Sequence, residues 1–124
     1  MVTRQSQEDY LEAIYTIQKQ KGSCRSVDVA NFLAYSKPSV SVACRKLREN
    51  GYLEPKAAHG ELYLTKEGWS IGRATAERHA FLREWLIGIG VAPEQASRDA
   101  CGLDHMISDS TIELMKKHIK KDKA

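Results

Sequence analysis

Two short segments of helical apolar periodicity, residues 27–33 and 38–47, are separated by only Ala34-Tyr35-Ser36-Lys37. So short a connector leaves room for a turn and nothing more, so the chain must fold them as a helix pair. Ser26 is placed to cap the first helix, with Val29, Ala30 and Leu33 facing inward. Pro38 suits the first position of the second, where its missing N–H would be unpaired in any case. That helix runs through Val40, Ala43, Cys44 and Leu47, and Asn50-Gly51 stops it.

Upstream, residues 4–21 read as an amphipathic helix with Tyr10, Leu11, Ile14, Ile17 and Gln18 at helical spacing, ended by Gly22. Downstream, residues 52–54 and 61–65 flank Lys56-Ala57-Ala58-His59-Gly60, and Leu62 and Leu64 alternate with Glu61, Tyr63 and Thr65 as in a strand. Helix, short helix, turn, helix, hairpin is the order of a winged helix-turn-helix. Thr65 caps a long fourth helix reaching about Ile89, with Ala76, Leu82, Trp85 and Leu86 inward. Pro93 opens a fifth, and Ser110 with Glu113 is a capping-box pattern for a last helix ending in Lys116, Lys117, Lys120 and Lys121. The expected fold is mainly α: a winged helix-turn-helix with a two-stranded wing over residues 1–65, then a helical region over 66–124.

Length and composition narrow the class. At 124 residues the chain supports one compact domain or two small subdomains, and 42% hydrophobic with 28% charged residues is a globular balance. The longest apolar run is too short to cross a bilayer and the N-terminus lacks a signal peptide's apolar region, so a cytoplasmic protein without a membrane partner is expected. Cys24, Cys44 and Cys101 cannot all pair within one chain, which fits a reducing compartment. The net charge of +3 permits nucleic-acid binding without requiring it.

The charge is local. The second helix of the pair carries Ser36, Lys37, Pro38, Ser39, Ser41, Arg45, Lys46 and Arg48, small hydroxyls followed by cations. Small polar groups let a helix N-terminus approach phosphate and enter a major groove, and cations further along reach the backbone or base edges. Lys56 and His59 lie at the hairpin tip. Across 37–56 there are five cations against Glu49 and Glu54. Any one of these residues alone is a solvated surface group; together with the element order they point to double-stranded DNA. The terminal lysines fit a helix end complementing its own dipole.

Cys101, Asp104 and His105 form a C-x-x-D-H cluster whose i, i+3, i+4 spacing places thiol, carboxylate and imidazole on one helix face. Asp9 and Glu12 repeat the i, i+3 arrangement on the first helix, and His79 sits on the fourth. Singly, each has a plain structural role: dipole-complementing acids, a half-buried imidazole, a small core cysteine. In combination they supply the deprotonatable donors, from separate elements, that a transition metal requires. A chain with both features reads as a metal-dependent DNA switch. The rival is a winged-helix repressor sensing an organic ligand, or thiol oxidation through Cys101 or Cys44. A metalloenzyme has no legible nucleophile–base pair here, and a metal-buffering module would not bind duplex DNA.

The same residues resemble the metal-dependent repressors typified by the diphtheria toxin repressor and the manganese transport regulator. The likeness runs through Glu8-Asp9-Tyr10-Leu11-Glu12, Pro38-Ser39-Val40-Ser41, Leu64-Thr65-Lys66-Glu67-Gly68, Arg78-His79 and Cys101-Gly102-Leu103-Asp104-His105. It implies a homodimer that represses divalent-metal uptake genes at a palindromic operator, in a short form without the SH3-like domain. It also implies a ligand set of Asp9, Glu12, His79, Cys101, Asp104 and His105. Asp9 and Glu12 fall where manganese-type members have ligands, and Cys101 where iron-type members have cysteine. Asp104 replaces a glutamate with a chain one methylene shorter. Arg83 and Ser97 stand where the iron type has an acid and a histidine, which disfavours that type's ancillary site. Hard oxygens suit Mn²⁺ and the thiol Fe²⁺; Zn²⁺ or Co²⁺ would also bind in vitro.

Overall fold

A computed structural model describes residues 4–55 and 60–122, with side chains over 6–55 and 60–119. Lys56 and His59, and the side chains of Lys120 and Lys121, therefore lie outside the described residues. The helices are α1 (Arg4–Lys21), α2 (Ser26–Leu33), α3 (Lys37–Glu49), α4 (Lys66–Gly88), α5 (Pro93–Leu103) and α6 (Asp109–Asp122). Packing groups the chain into two compact units, Met1–Ala76 and Glu77–Ala124, a division that falls inside α4.

In the first unit, α1 buries Tyr10, Leu11, Ala13, Ile14, Tyr15 and Ile17, more than one stripe's worth. Its core is shared with Val29 and Ala30 of α2 and with Val40, Ala43, Cys44 and Leu47 of α3. Each large aliphatic side chain removed from water here contributes roughly 1.5–3 kcal/mol. Gly22 (φ 85) ends α1, its N–H reaching the Gln18 carbonyl at 2.8 Å. The cap of α2 differs from the sequence expectation. Ser26 is already helical and the N-cap residue is Arg25, whose N–H donates to the Asp28 carboxylate at 3.0 Å. Asp28 also holds the Lys21 ammonium at 3.0 Å. The charged carboxylate outcompetes the Ser26 hydroxyl because it answers an ammonium and a backbone N–H together.

The connector turns at Ala34, left-handed at φ 57, and Ser36 caps α3 by accepting the Ser39 N–H at 3.2 Å. Pro38 falls in the first turn of α3 and Asn50-Gly51 ends it, as expected. The wing is less regular than predicted. Antiparallel pairing among the described residues consists of two isolated bridges, Leu53 with Leu64 and Arg25 with Glu61. The returning segment changes partner after two residues: the Leu62 N–H bonds to Cys24, while Tyr63 accepts from Glu54 at 2.8 Å. Neither ladder grows long enough to become a strand. The predicted alternation still decides burial, with Leu62 inside and Tyr63 outside.

Thr65 caps α4 as the sequence indicated, accepting the Gly68 N–H at 3.1 Å and donating to the Gly51 carbonyl at 2.7 Å. The first turns of α4 pack within the first unit through two glycines. A Cβ on Gly68 would lie 2.1 Å from the Tyr52 carbonyl oxygen, and one on Gly72 2.6 Å from that of Leu11. This close backbone approach is why the head's packing extends past Thr65.

In the second unit Leu82, Ala100 and Ile112 form a small core with Phe81, Leu86, Ile107 and Met115 partly buried on it. Of the inward positions expected on α4, Leu82 is fully buried, whereas Ala76, Trp85 and Leu86 are half-buried. Pro93 opens α5 as predicted. The cap of α6 is Ser108 rather than Ser110: its hydroxyl accepts the Thr111 N–H at 3.2 Å. Arg78 of α4 also meets Asp109 at 2.8 Å in the first turn of α6.

Gly68→Ala and Gly72→Ala are expected to lower stability by about 1–3 kcal/mol each in urea unfolding, since backbone atoms must give way. Gly88→Ala, with open space around it, should leave the midpoint unchanged or slightly raised. Hydrogen bonding to Lys21, then to the Arg25 N–H, holds the Asp28 carboxyl below its ordinary range. Its contribution is thus present above the ordinary carboxylate pKa and fades as pH falls through the lowered one. Unfolding of Asp28→Asn should differ from the parent at pH 7 and converge with it in strong acid, with a small gap because the pair is surface-screened.

Candidate metal centre and nucleic-acid interface

α5 ends at Leu103, one residue before the acid and two before the histidine. Asp104 keeps helical geometry as the C-cap, donating its N–H to Ala100 at 2.9 Å. His105 lies in the turn beyond, where Met106 and Ile107 both return N–H groups to the Leu103 carbonyl. The backbone stays helical through Asp104, but burial divides the three residues. Cys101 is exposed, Asp104 is 1% exposed, and the His105 side chain 4%.

Within the second unit, three donors meet. Asp104 Oδ2 is 3.7 Å from His79 Nδ1 on α4, and its Oδ1 is 3.1 Å from His105 Nε2. The His79 and Asp104 donor atoms fall within 4.8 Å, a separation one cation can span. Both Asp104 oxygens are buried and accept no hydrogen bond among the described residues. A buried carboxylate beside two imidazoles sits in a low-dielectric site that favours any positive charge that approaches. Oxygen with two imidazole donors also suits a first-row divalent ion. Asp9 and Glu12 belong to the first unit, half-buried and three residues apart on α1.

The candidate DNA face is formed by α3. Ser36, Lys37, Pro38, Ser39, Ser41, Arg45 and Lys46 are all exposed, while Val40, Ala43, Cys44 and Leu47 take the opposite, buried stripe. Lys46 makes only a loose 3.8 Å approach to Glu49 with both side chains exposed, so its charge stays available. Residue-type reasoning missed Val42, 51% exposed amid these polar groups. Its signal was an apolar residue off the buried stripe.

Thiol sensing finds little support at the buried cysteines. Burial pushes the Cys24 thiol up to about 12 and raises that of Cys44, and both are packed in the core. Oxidation needs an accessible thiolate, which leaves Cys101 alone as an exposed thiol.

A helix-turn-helix head joined in sequence to a helical unit with a buried carboxylate–imidazole cluster defines a class: a DNA-binding regulator with a metal-binding domain. The iron dependent repressor N-terminal DNA binding domain matches residues 2–60, and the iron dependent repressor metal binding and dimerisation domain matches 65–123. The chain belongs to this iron-dependent repressor family, whose members are transcriptional regulators rather than enzymes. It is 35% identical over 106 residues to the transcriptional regulator MntR of Escherichia coli O6:H1, covering 86% of this chain and 68% of that protein. With the HTH-type transcriptional regulator MntR of Bacillus subtilis it shares 37% over 112 residues, covering 90% of this chain and 78% of that one. A manganese-dependent transcriptional repressor solved in complex with manganese superposes with a TM-score of 0.82 at 26% identity, over 92% of this chain and 52% of that one. The chain therefore spans about half the length of that solved relative. No helix among the described residues is long and apolar enough to cross a membrane.

In the folded protein, a thiol reagent such as 5,5′-dithiobis(2-nitrobenzoate) should modify one cysteine rapidly and two only on unfolding. Mass mapping is expected to put the fast label on Cys101.

Proposed function

We propose that the chain is a homodimeric, divalent-metal-dependent transcriptional regulator that acts in the cytoplasm, binds a palindromic DNA operator and represses manganese or iron uptake genes. Residues 1–65 read DNA, with 52–65 as the wing and Lys56 at its tip, and residues 66–124 bind metal and dimerise. The observation that carries this reading is the buried Asp104 carboxylate, accepting no hydrogen bond among the described residues and flanked by the His79 and His105 imidazoles. Asp9, Glu12, His79, Cys101, Asp104 and His105 would hold the ion. When bound, a divalent cation would supply the positive charge that offsets the buried carboxylate.

The mixed donor set supports Mn²⁺ or Fe²⁺ as the physiological signal, with Zn²⁺ and Co²⁺ binding in vitro. Because the six residues are divided between the head and the helical unit, holding one cation together would couple those parts. Two reading helices of a dimer must enter successive major grooves about 34–36 Å apart, so that coupling bears on DNA affinity. By linkage, metal and DNA tighten each other's binding by the same factor, on the order of 5–150-fold. The groove between the end of α4 and α6, lined by Phe81, Trp85, Ile89 and Ile119 together with Glu84, supports dimerisation through the second unit.

The test is a duplex-binding titration with chelator and with Mn²⁺, Fe²⁺, Co²⁺ or Zn²⁺ in turn. Parent protein should gain affinity with metal, whereas Asp104→Asn and His105→Ala should fold and dimerise yet show no gain. Saturating metal at about a hundred times its Kd should stabilise the parent by ~2.7 kcal/mol. Metal-free Asp104→Asn should be no less stable than the metal-free parent, because it removes a buried charge, and should show no such shift. An undiminished metal response in both variants would rule the cluster out.

A further inference from the structure

We propose that Val42 is a base-reading residue, recognising the 5-methyl group of a thymine in the major groove. The inference rests on α3 being the DNA-reading helix.

Val42 lies off the buried stripe of α3, and its side chain is 51% exposed. It follows Pro38 by one turn and precedes Arg45 by nearly another, an i, i+4, i+7 row that shares one helix face. All three residues of that row are exposed, and Pro38 and Val42 border one open groove of about 380 Å³. The surrounding exposed groups on α3 are the Ser39 and Ser41 hydroxyls and the Lys37, Arg45 and Lys46 cations, with exposed Tyr35 on the groove's rim. The first acid on the helix is Glu49, in its last turn. An isopropyl group at the centre of a cationic face fits an anionic partner that offers one apolar spot.

Duplex DNA is such a partner. Its phosphates answer the cations, and thymine's methyl is the one apolar group displayed on a major-groove edge. Valine has neither donor nor acceptor, so it cannot read a hydrogen-bonding pattern. It can only distinguish a base carrying that methyl from one lacking it. Its place in the second turn suits base contact, since the N-terminal part of a recognition helix approaches the base edges.

The test uses the full chain with Mn²⁺. A preferred duplex is first selected from a random-sequence pool, and its thymines are then replaced one position at a time, in both half-sites, by deoxyuridine. That exchange removes the methyl and nothing else. At one thymine position per half-site, parent affinity should fall roughly fourfold for each methyl removed. Val42→Ala, whose fold is checked by thermal unfolding, should bind the thymine duplex roughly fourfold more weakly per half-site. It should lose nothing further on deoxyuridine exchange at that position. An equal deoxyuridine penalty in parent and Val42→Ala at every position would overturn the assignment. So would unchanged DNA affinity of the variant, the outcome expected if the Val42 groove docks a protein instead. If the parent selects no duplex even with metal, the DNA-reading function itself fails, and this assignment with it.

Discussion

A carboxylate taken out of water without a hydrogen bond demands positive charge close by. Asp104 is in that position: both oxygens are buried, neither accepts a hydrogen bond among the described residues, and the groups beside them are imidazoles. Purely structural packing has little use for such a group, because an apolar side chain of similar size would fill the space without the desolvation cost. The arrangement becomes intelligible when the site is built to receive a cation.

The head solves a different problem. α3 must be anchored firmly on one side while leaving the other bare, and its sequence divides the two by angle. Val40, Ala43, Cys44 and Leu47 sink into a core shared with α1 and α2, and the hydroxyls, the cations and Val42 remain outside. Ser36 joins the two roles, because its hydroxyl caps the helix from within the exposed face. The helix entry is therefore stabilised by the same small residues that let it approach a partner closely.

Gly68 and Gly72 show how the boundary between parts is set by contact rather than by composition. Both let the backbone of α4 approach other main chain of the first unit more closely than any Cβ would allow. The start of α4 thereby becomes part of the head's packing, although in sequence it opens the helical half.

The helix order, the turn before Pro38, the Asn50-Gly51 stop and the Thr65 cap were all legible from the chain alone. Each rests on local backbone chemistry that a few adjacent residues decide. The caps of α2 and α6 were misplaced, because Asp28 competes with Ser26 through a partner seven residues away, and Ser108 is supported by two neighbouring hydroxyls. The donor types at the candidate metal centre were also readable. Their spacing did not reveal that Asp104 and the His105 side chain would be buried while Cys101 stays exposed. Sequence thus determined which groups are present and which local turns they prefer. Only the tertiary structure decided which lose their water, because burial depends on chain segments distant in sequence that no local pattern encodes.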